Sequence, residues 1–234
     1  MSWDWQVFFQ DNGGGQTYFN WTMSAWGWTL LVSALSLVVA LVVGSIMGIF
    51  RTTPVKALVW IGNAWTEIFR NVPLLVQIFL WYHVIPSIFK GLQSVPDFVA
   101  VVIALGFFTS ARISEQVRAG IQALPRGQRY AGLAMGLTLP QTYRFVLLPM
   151  AFRIIIPPLT SESMNIIKNS SVAFAVSISE LTFFAMQAQE ETSRGVEIYL
   201  AVTFLYFISA FAVNRVAAVI EKRALVPGMI GAGK

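Results

Sequence analysis

The stretch from Trp26 to Phe50, WGWTLLVSALSLVVALVVGSIMGIF, carries no charged side chain over 25 consecutive positions. About 20 apolar residues cross the hydrocarbon core of a bilayer as a helix, so this segment places the chain in a membrane before anything else is known of it. Composition agrees: 56% of the 234 residues are hydrophobic and 12% charged, against roughly 25% charged in soluble domains. Four further spans follow by the same reading. Val55 to Asn71 is a half-polar helix carrying Glu67 and Arg70, and Pro73 then opens PLLVQIFLWYHVI; together they predict one long, kinked span. Asp97 to Leu124 predicts the third, stopped by Pro125. Phe145 to about Lys168 predicts the fourth, interrupted at Pro157 and Pro158, and Val196 to about Ile220 the fifth. The expected class is an all-α integral membrane protein with five transmembrane helices: an outer N-terminal segment over 1–25, a membrane domain over 26–220 and a C-terminal tail over 221–234.

Several chemistries are excluded at once. With no cysteine there is no disulfide, thiolate nucleophile or Cys-ligated metal, and the single histidine, His83, rules out bis-histidine haem ligation and most zinc sites within the chain. No Ser/His or His/Asp constellation and no HExxH occurs in the spans, which argues against an intramembrane enzyme. The first 21 residues contain Asp4 and Asp11 but no Lys or Arg, so a cleavable signal peptide is not expected. The net charge of +5 comes from basic residues scattered between spans, never in a run, so nucleic acid is not an expected partner. One set of loops holds Arg51, Lys56, Arg118, Arg126, Arg129, Arg144, Lys222, Arg223 and Lys234; the other holds Asp4, Asp11, Lys90, Asp97, Glu190, Glu191 and Arg194. Basic loops face the cytoplasm, which predicts the N-terminus outside and the C-terminus inside.

That orientation makes the linker GQRYAGLAMGLTLPQTYRFVLLP, Gly127 to Pro149, cytoplasmic. A helix from about Gln128 to Leu137 would show Ala131, Gly132, Ala134 and Gly136, small enough to let another backbone approach. From these residues alone a surface loop and a docking helix are equally open.

The linker resembles the cytoplasmic EAA loop of ABC-importer permeases, with its Gly at Gly136 and its hydrophobic ending at Val146, Leu147, Leu148 and Pro149. It departs from that pattern where the signature Glu falls on Tyr130 and the second Ala on Gly132, leaving Ala131 alone of the triplet. EIFRNVPLLVQIF from Glu67, EQVRAGIQALPRGQ from Glu115 and the stretch from Pro157 to Lys168 are similar to the polar amino-acid permease family of type I ABC importers, over roughly Trp26 to Ile220. Among its members the chain is most like a glutamate/aspartate permease subunit.

The resemblance implies the type I ABC importer permease fold in the cell inner membrane, a second permease subunit (expected as a heterodimer), an ABC ATPase dimer and a periplasmic solute-binding protein. It makes the loop over 125–149 the coupling element, with Arg129, Tyr130, Ala131, Gly132, Gly136 and Leu137 against the ATPase. No GxxxxGK[ST] phosphate loop is present, so ATP and Mg are expected on the partner and no cofactor in this chain, which is then not itself an enzyme. Glutamine, histidine or basic amino acids are the alternative substrates; a non-ABC channel or membrane scaffold is the more distant alternative.

Arg112 lies at membrane depth, where a cation is costly unless paired or facing a wet cavity. Two readings stand open. In one, Arg112 and Glu115 form an intrahelical pair; in the other, Glu115 is held by Arg118 and Arg112 offers its fork to a solute carboxylate. Family members for other polar amino acids commonly carry tyrosine at the position of Arg112, which favours the second. Ser161, Asn165 and Lys168 fall on one side of a helix, with Glu162 and Asn169 beside them, and relatives for cationic amino acids tend to carry an acid where Asn169 stands. The reading against a substrate role has Lys168 snorkelling outward with Glu162 as its partner.

Overall fold

The computed structural model describes residues 3–224, and these are helical apart from turns and a single bridge between Asp11 and Thr17. After a 3-10 turn at Trp5–Phe9, α1 covers Tyr18–Phe50, α2 Lys56–Asn71, α3 Leu74–Ile88, α4 Asp97–Gln122, α5 Arg126–Ala134, α6 Leu139–Val176, α7 Leu181–Thr192 and α8 Gly195–Ala224. Helices α1, α4, α6 and α8 are long and apolar enough to cross a membrane, and α2 with α3 makes a fifth span if the bent pair is counted as one. The expected all-α class is what is found, and the five expected spans are reached when the bent pair is counted as one. Lys234 and the other tail residues beyond Ala224 lie outside the described residues.

The differences from expectation have local causes. The first helix starts at Tyr18, eight positions before Trp26, and the Thr22 hydroxyl inside it is satisfied by the Tyr18 carbonyl at 2.7 Å. The second span is no mild kink: the helix is broken between α2 and α3, where Pro73, extended at φ −57° and ψ 140°, caps α3. The fourth is not interrupted at Pro157 and Pro158; α-helix runs unbroken over Leu148–Asn169. Irregularity falls elsewhere, in π turns at Leu80–Val84 and Tyr143–Leu147. Each surrounds the residue four before a proline, Tyr82 before Pro86 and Phe145 before Pro149. A proline ring collides with the carbonyl four back, and the wider π turn relieves that clash. Helix α7 has no counterpart among the expected elements.

The residues sort into two compact units. The first comprises Met1–Val39, Val72–Gly106 and Met164–Ala212. Its core joins Val7 and Phe8 of the N-terminal turn to Ala25, Leu181, Phe184 and Ile198. Helix α7 is built into it by its first turn: Leu181 N–H donates to Thr29 Oγ1 at 3.1 Å, while those of Thr182 and Phe183 donate to the Glu180 carboxylate, both at 2.8 Å. Three of the four orphan donors of a helix start are thus satisfied. Tyr206 Oη donates a further hydrogen bond to Glu180, at 2.8 Å. Burial nevertheless outweighs these contacts and pushes the Glu180 carboxyl up to about 7.

A carboxyl that holds its proton more tightly folded than unfolded makes stability fall as pH rises between the two pKa values. Melting temperature should therefore drop from about pH 4.5 to about 7 through this group, and Glu180→Gln should flatten that part of the profile. Glu180→Ala, which strips the cap, should cost about 1–2 kcal/mol at either end. A pH profile unchanged in Glu180→Gln would mean that the group does not titrate on unfolding.

The second unit comprises Ala40–Asn71, Phe107–Ser163 and Val213–Lys234. Helix α4 is the most enclosed of the long helices, with 61% of its most apolar window buried against 28% for α1 and 22% for α6 and α8. Close approach comes from Gly44 and Gly48 of α1, spaced as GxxxG. A Cβ on Gly44 would stand 2.7 Å from Ile113 Cβ, and one on Gly48 2.7 Å from Val117 Cβ. Gly48→Leu should consequently separate the two helices and lower the melting temperature, by about 1–3 kcal/mol or more of overpacking; unchanged melting would show that the contact is not close in solution.

Candidate functional site

Within the second unit, α4 carries its polar groups in two directions. Toward α2, Ser110 Oγ accepts from Trp65 Nε1 at 2.9 Å, and Ser114 Oγ lies 3.0 Å from Thr66 Oγ1. Arg51, just past the end of α1, binds this patch with Nε on Asn63 Oδ1 at 2.9 Å and Nη1 on Thr66 and Ser114. Trp65, Phe69 and Phe107 form a compact aromatic cluster alongside, with centroids 4.3–5.4 Å apart.

Toward α6, Arg112 and Gln116 stand one turn apart and converge on a single carboxylate. Arg112 Nη1 is 3.7 Å from Glu162 Oε2, and Gln116 Nε2 donates to Glu162 Oε1 at 3.5 Å. The Arg112 guanidinium also covers the Phe108 ring at 5.1 Å. Burial is lopsided: the Glu162 side chain is 11% exposed and that of Arg112 41%. A carboxylate so enclosed needs its cation. The guanidinium, with five donors and an ion pair longer than a hydrogen bond, keeps an open side.

The pairings expected for Glu115 are not formed. It binds Arg70 of α2 instead, and Arg70 also holds Glu67 at 3.0 Å, so a Glu67–Arg70–Glu115 chain ties α2 to α4. Arg118, left without Glu115, donates to Gln122 Oε1 at 3.4 Å. A three-residue spacing permits a pair within one helix, but a long arginine on a neighbouring helix reaches the same carboxylate with better geometry. Nor is Glu162 the partner of Lys168. Lys168 is exposed and makes no side-chain ion pair among the described residues, Ser161 is exposed, and Asn165 and Asn169 are half-buried. Ser161 and Glu162 belong to the second unit and Asn165, Lys168 and Asn169 to the first, although one helix carries all five. Gln116 and Phe108 were missed from sequence; Gln116's four-residue offset from Arg112 was the available signal.

The second polar locus is α5 and its exit, also within the second unit. Pro125 starts the helix two residues earlier than expected, and it ends at Ala134. Gly136 (φ +82°) follows at the position after the cap. Leu137 N–H donates to Gly132 O at 3.2 Å and Gly136 N–H to Leu133 O at 3.0 Å, the paired bonds of a Schellman ending. Gly132 itself is buried against Thr142, where a Cβ would meet Cγ2 at 2.8 Å. A capping box between Thr138 and Gln141 starts α6, and Tyr143 Oη anchors its first turns by donating to the Thr52 carbonyl at 2.7 Å. The outward side is left to Tyr130, 67% exposed, Ala131, Leu133 and Met135, 84% exposed. Arg129 and Leu137 are half-buried.

Comparison with known proteins gives a consistent result. Residues 40–226 match the family described as "Binding-protein-dependent transport system inner membrane component". The chain is 40% identical over 242 residues to the glutamate/aspartate import permease protein GltJ of Escherichia coli (strain K12), covering 99% of this chain and 98% of that protein. It is 26% identical over 200 residues to GltK of Escherichia coli O6:H1, also a glutamate/aspartate import permease protein, covering 83% and 89%. A chain in the crystal structure of an amino acid ABC transporter with histidines superimposes with a TM-score of 0.79 at 27% identity, over 95% of this chain and 100% of that one.

Proposed function

We propose that this chain, which belongs to the family of inner membrane components of binding-protein-dependent transport systems, is the permease subunit of an ATP-driven importer of glutamate and aspartate. The family consists of multi-pass membrane transport components and not of enzymes. The observation that carries the substrate reading is the near end-to-end similarity to GltJ. The Arg112–Glu162 couple supports it chemically. An α-amino acid presents a carboxylate and an ammonium together, and an exposed guanidinium beside a carboxylate complements both. Arg112 takes the solute carboxylate, Glu162 the ammonium, and Gln116 fixes the Glu162 carboxylate. Ser161, Asn165, Lys168 and Asn169 supply further polar contacts from α6, and Glu115 contributes by holding Arg70.

In this reading α5 is the coupling helix, with Arg129, Tyr130, Ala131, Gly136 and Leu137 against an ABC ATPase dimer, while Gly132, buried against Thr142, seats the helix on the rest of the chain. That dimer holds ATP and Mg; this chain holds no cofactor. A periplasmic binding protein delivers the solute. The second permease is a different but related subunit, a pairing supported by the existence in Escherichia coli O6:H1 of two glutamate/aspartate import permease proteins, GltJ and GltK. The N-terminus is outside and the C-terminus in the cytoplasm, which the charge of the loops supports. A second reading, a neutral substrate such as glutamine, is favoured by one feature: Glu162 offsets the charge of Arg112.

The test is uptake of labelled glutamate, aspartate, glutamine and arginine by the complete assembly in proteoliposomes, supplied with binding protein and ATP. Preference for the two acidic amino acids is expected. If glutamine or arginine is taken up first, the acidic reading fails while membership of the family stands.

A further inference from the structure

A pocket of about 400 Å³ in the second unit is used by neither of the loci above as a whole. Its polar wall is Arg51, Gln122, Arg126, Arg129 and Tyr143, and its apolar wall is built from Ile121, Leu124 and Leu147. Three arginines therefore line one cavity, and of these Arg51 is already engaged by Asn63, Thr66 and Ser114. From Gln116 to Ser161 the sequence contains no acidic residue and five arginines, Arg118, Arg126, Arg129, Arg144 and Arg153. None of the three lining arginines is in an ion pair of the described residues, and Arg129 Nε is buried without a hydrogen-bond partner. Burial, and after it the neighbouring Arg118, lower the pKa of Arg51, while Glu115 and Glu67 act in the opposite direction. Such a cavity is completed by an anion.

The walls say which kind. Arg51 directly follows the last residue of the spanning helix α1, and Ile121 and Gln122 are the last residues of the spanning helix α4, which puts the pocket at the level where a bilayer meets water. A phosphodiester that carries acyl chains satisfies the guanidinium side and the Ile121, Leu124 and Leu147 side together, whereas free phosphate satisfies only the first. Basic pockets at the ends of membrane helices bind anionic headgroups. We propose that this cavity is a binding site for an anionic phospholipid headgroup, with Arg126 and Arg129 as its principal phosphate ligands, the half-buried Arg129 reaching it from the inner side of the coupling helix. The proposal rests on the chain's place in the membrane and is independent of what it transports.

The test titrates the full chain, purified in neutral detergent, with short-chain phosphatidylglycerol, phosphatidylcholine or inorganic phosphate, and follows thermal melting by tryptophan fluorescence. Phosphatidylglycerol should raise the melting temperature saturably, and phosphatidylcholine, whose choline meets the same arginines, should do so far less. The double variant Arg126→Gln/Arg129→Gln should bind phosphatidylglycerol roughly tenfold or more weakly, while Lys56→Gln, exposed and outside the pocket, should bind as the native chain does. Equal binding by the double variant overturns the proposal. So does an effect fully reproduced by inorganic phosphate, which would make the ligand a soluble anion. Should the double variant not fold, the native chain still decides: no preference for phosphatidylglycerol over phosphatidylcholine overturns the lipid assignment. Loss of ATPase co-purification in the double variant without any lipid effect would assign the arginines to a protein carboxylate and overturn it equally.

Discussion

Arg112→Ala is expected to reduce uptake of glutamate and aspartate by about 10- to 100-fold, since a hydrogen bond to a charged group contributes about 1.5–3 kcal/mol and the solute loses its carboxylate ligand. The single variant takes its cation from a buried Glu162, so part of its effect is on the fold. The pair Arg112→Gln/Glu162→Gln separates the two contributions. With both charges gone and shape retained, melting should return close to that of the native chain, and uptake should stay low. Arg112→Lys keeps the charge but loses the planar fork, so it should transport with raised KM. Normal uptake by the double variant would sink the substrate assignment and leave the couple a purely structural tie between α4 and α6.

What could be read from the residues, and what could not, divides along physical lines. A predominantly apolar run of about 20 residues crosses a bilayer as a helix, because outside a closed barrel nothing else satisfies its backbone donors and acceptors there; hence α1, α4 and α8 are found close to where hydropathy puts them. Helix α7 escaped because LTFFAMQAQEET is short and mixed in polarity, and its stability comes from a long-range partner, Thr29, and from the cap at Glu180. The GxxxG of α1 was present in the sequence but says only that some backbone comes near, not that it is α4's. Pairing failed in the same way. Spacing shows which partners Glu115 can reach on its own helix, and it is blind to Arg70, 45 positions away and held at that place by the packing of α2. Arg112 was legible as an intramembrane charge because its cost demands an explanation. Its partner was not, since Glu162 needed the approach of a second helix.

Ala131→Trp is expected to abolish ATP-driven uptake while leaving melting of the chain unchanged. A nine-residue helix does not persist in water by itself, so α5 owes its existence to the buried Gly132–Thr142 contact, the Schellman ending at Gly136 and the Tyr143–Thr52 anchor. All three act on its inner side and its ends. Past Arg126, what remains outside is mostly small or apolar, with Met135 and Tyr130 the most exposed large hydrophobics, an arrangement that suits a groove on another protein. A tryptophan at exposed Ala131 adds bulk only there, so the helix should hold while close approach of an ATPase is blocked. Gly136→Ala acts by the opposite route. It strains the left-handed residue by about 1–2 kcal/mol and should lower melting and uptake together. Co-purification of the ATPase measures the difference directly: lost in Ala131→Trp at normal melting temperature, retained in part by Gly136→Ala. Should Ala131→Trp keep both its ATPase and its uptake, the coupling surface is not on this side of α5, and the exposed residues from Tyr130 to Met135 would need another partner.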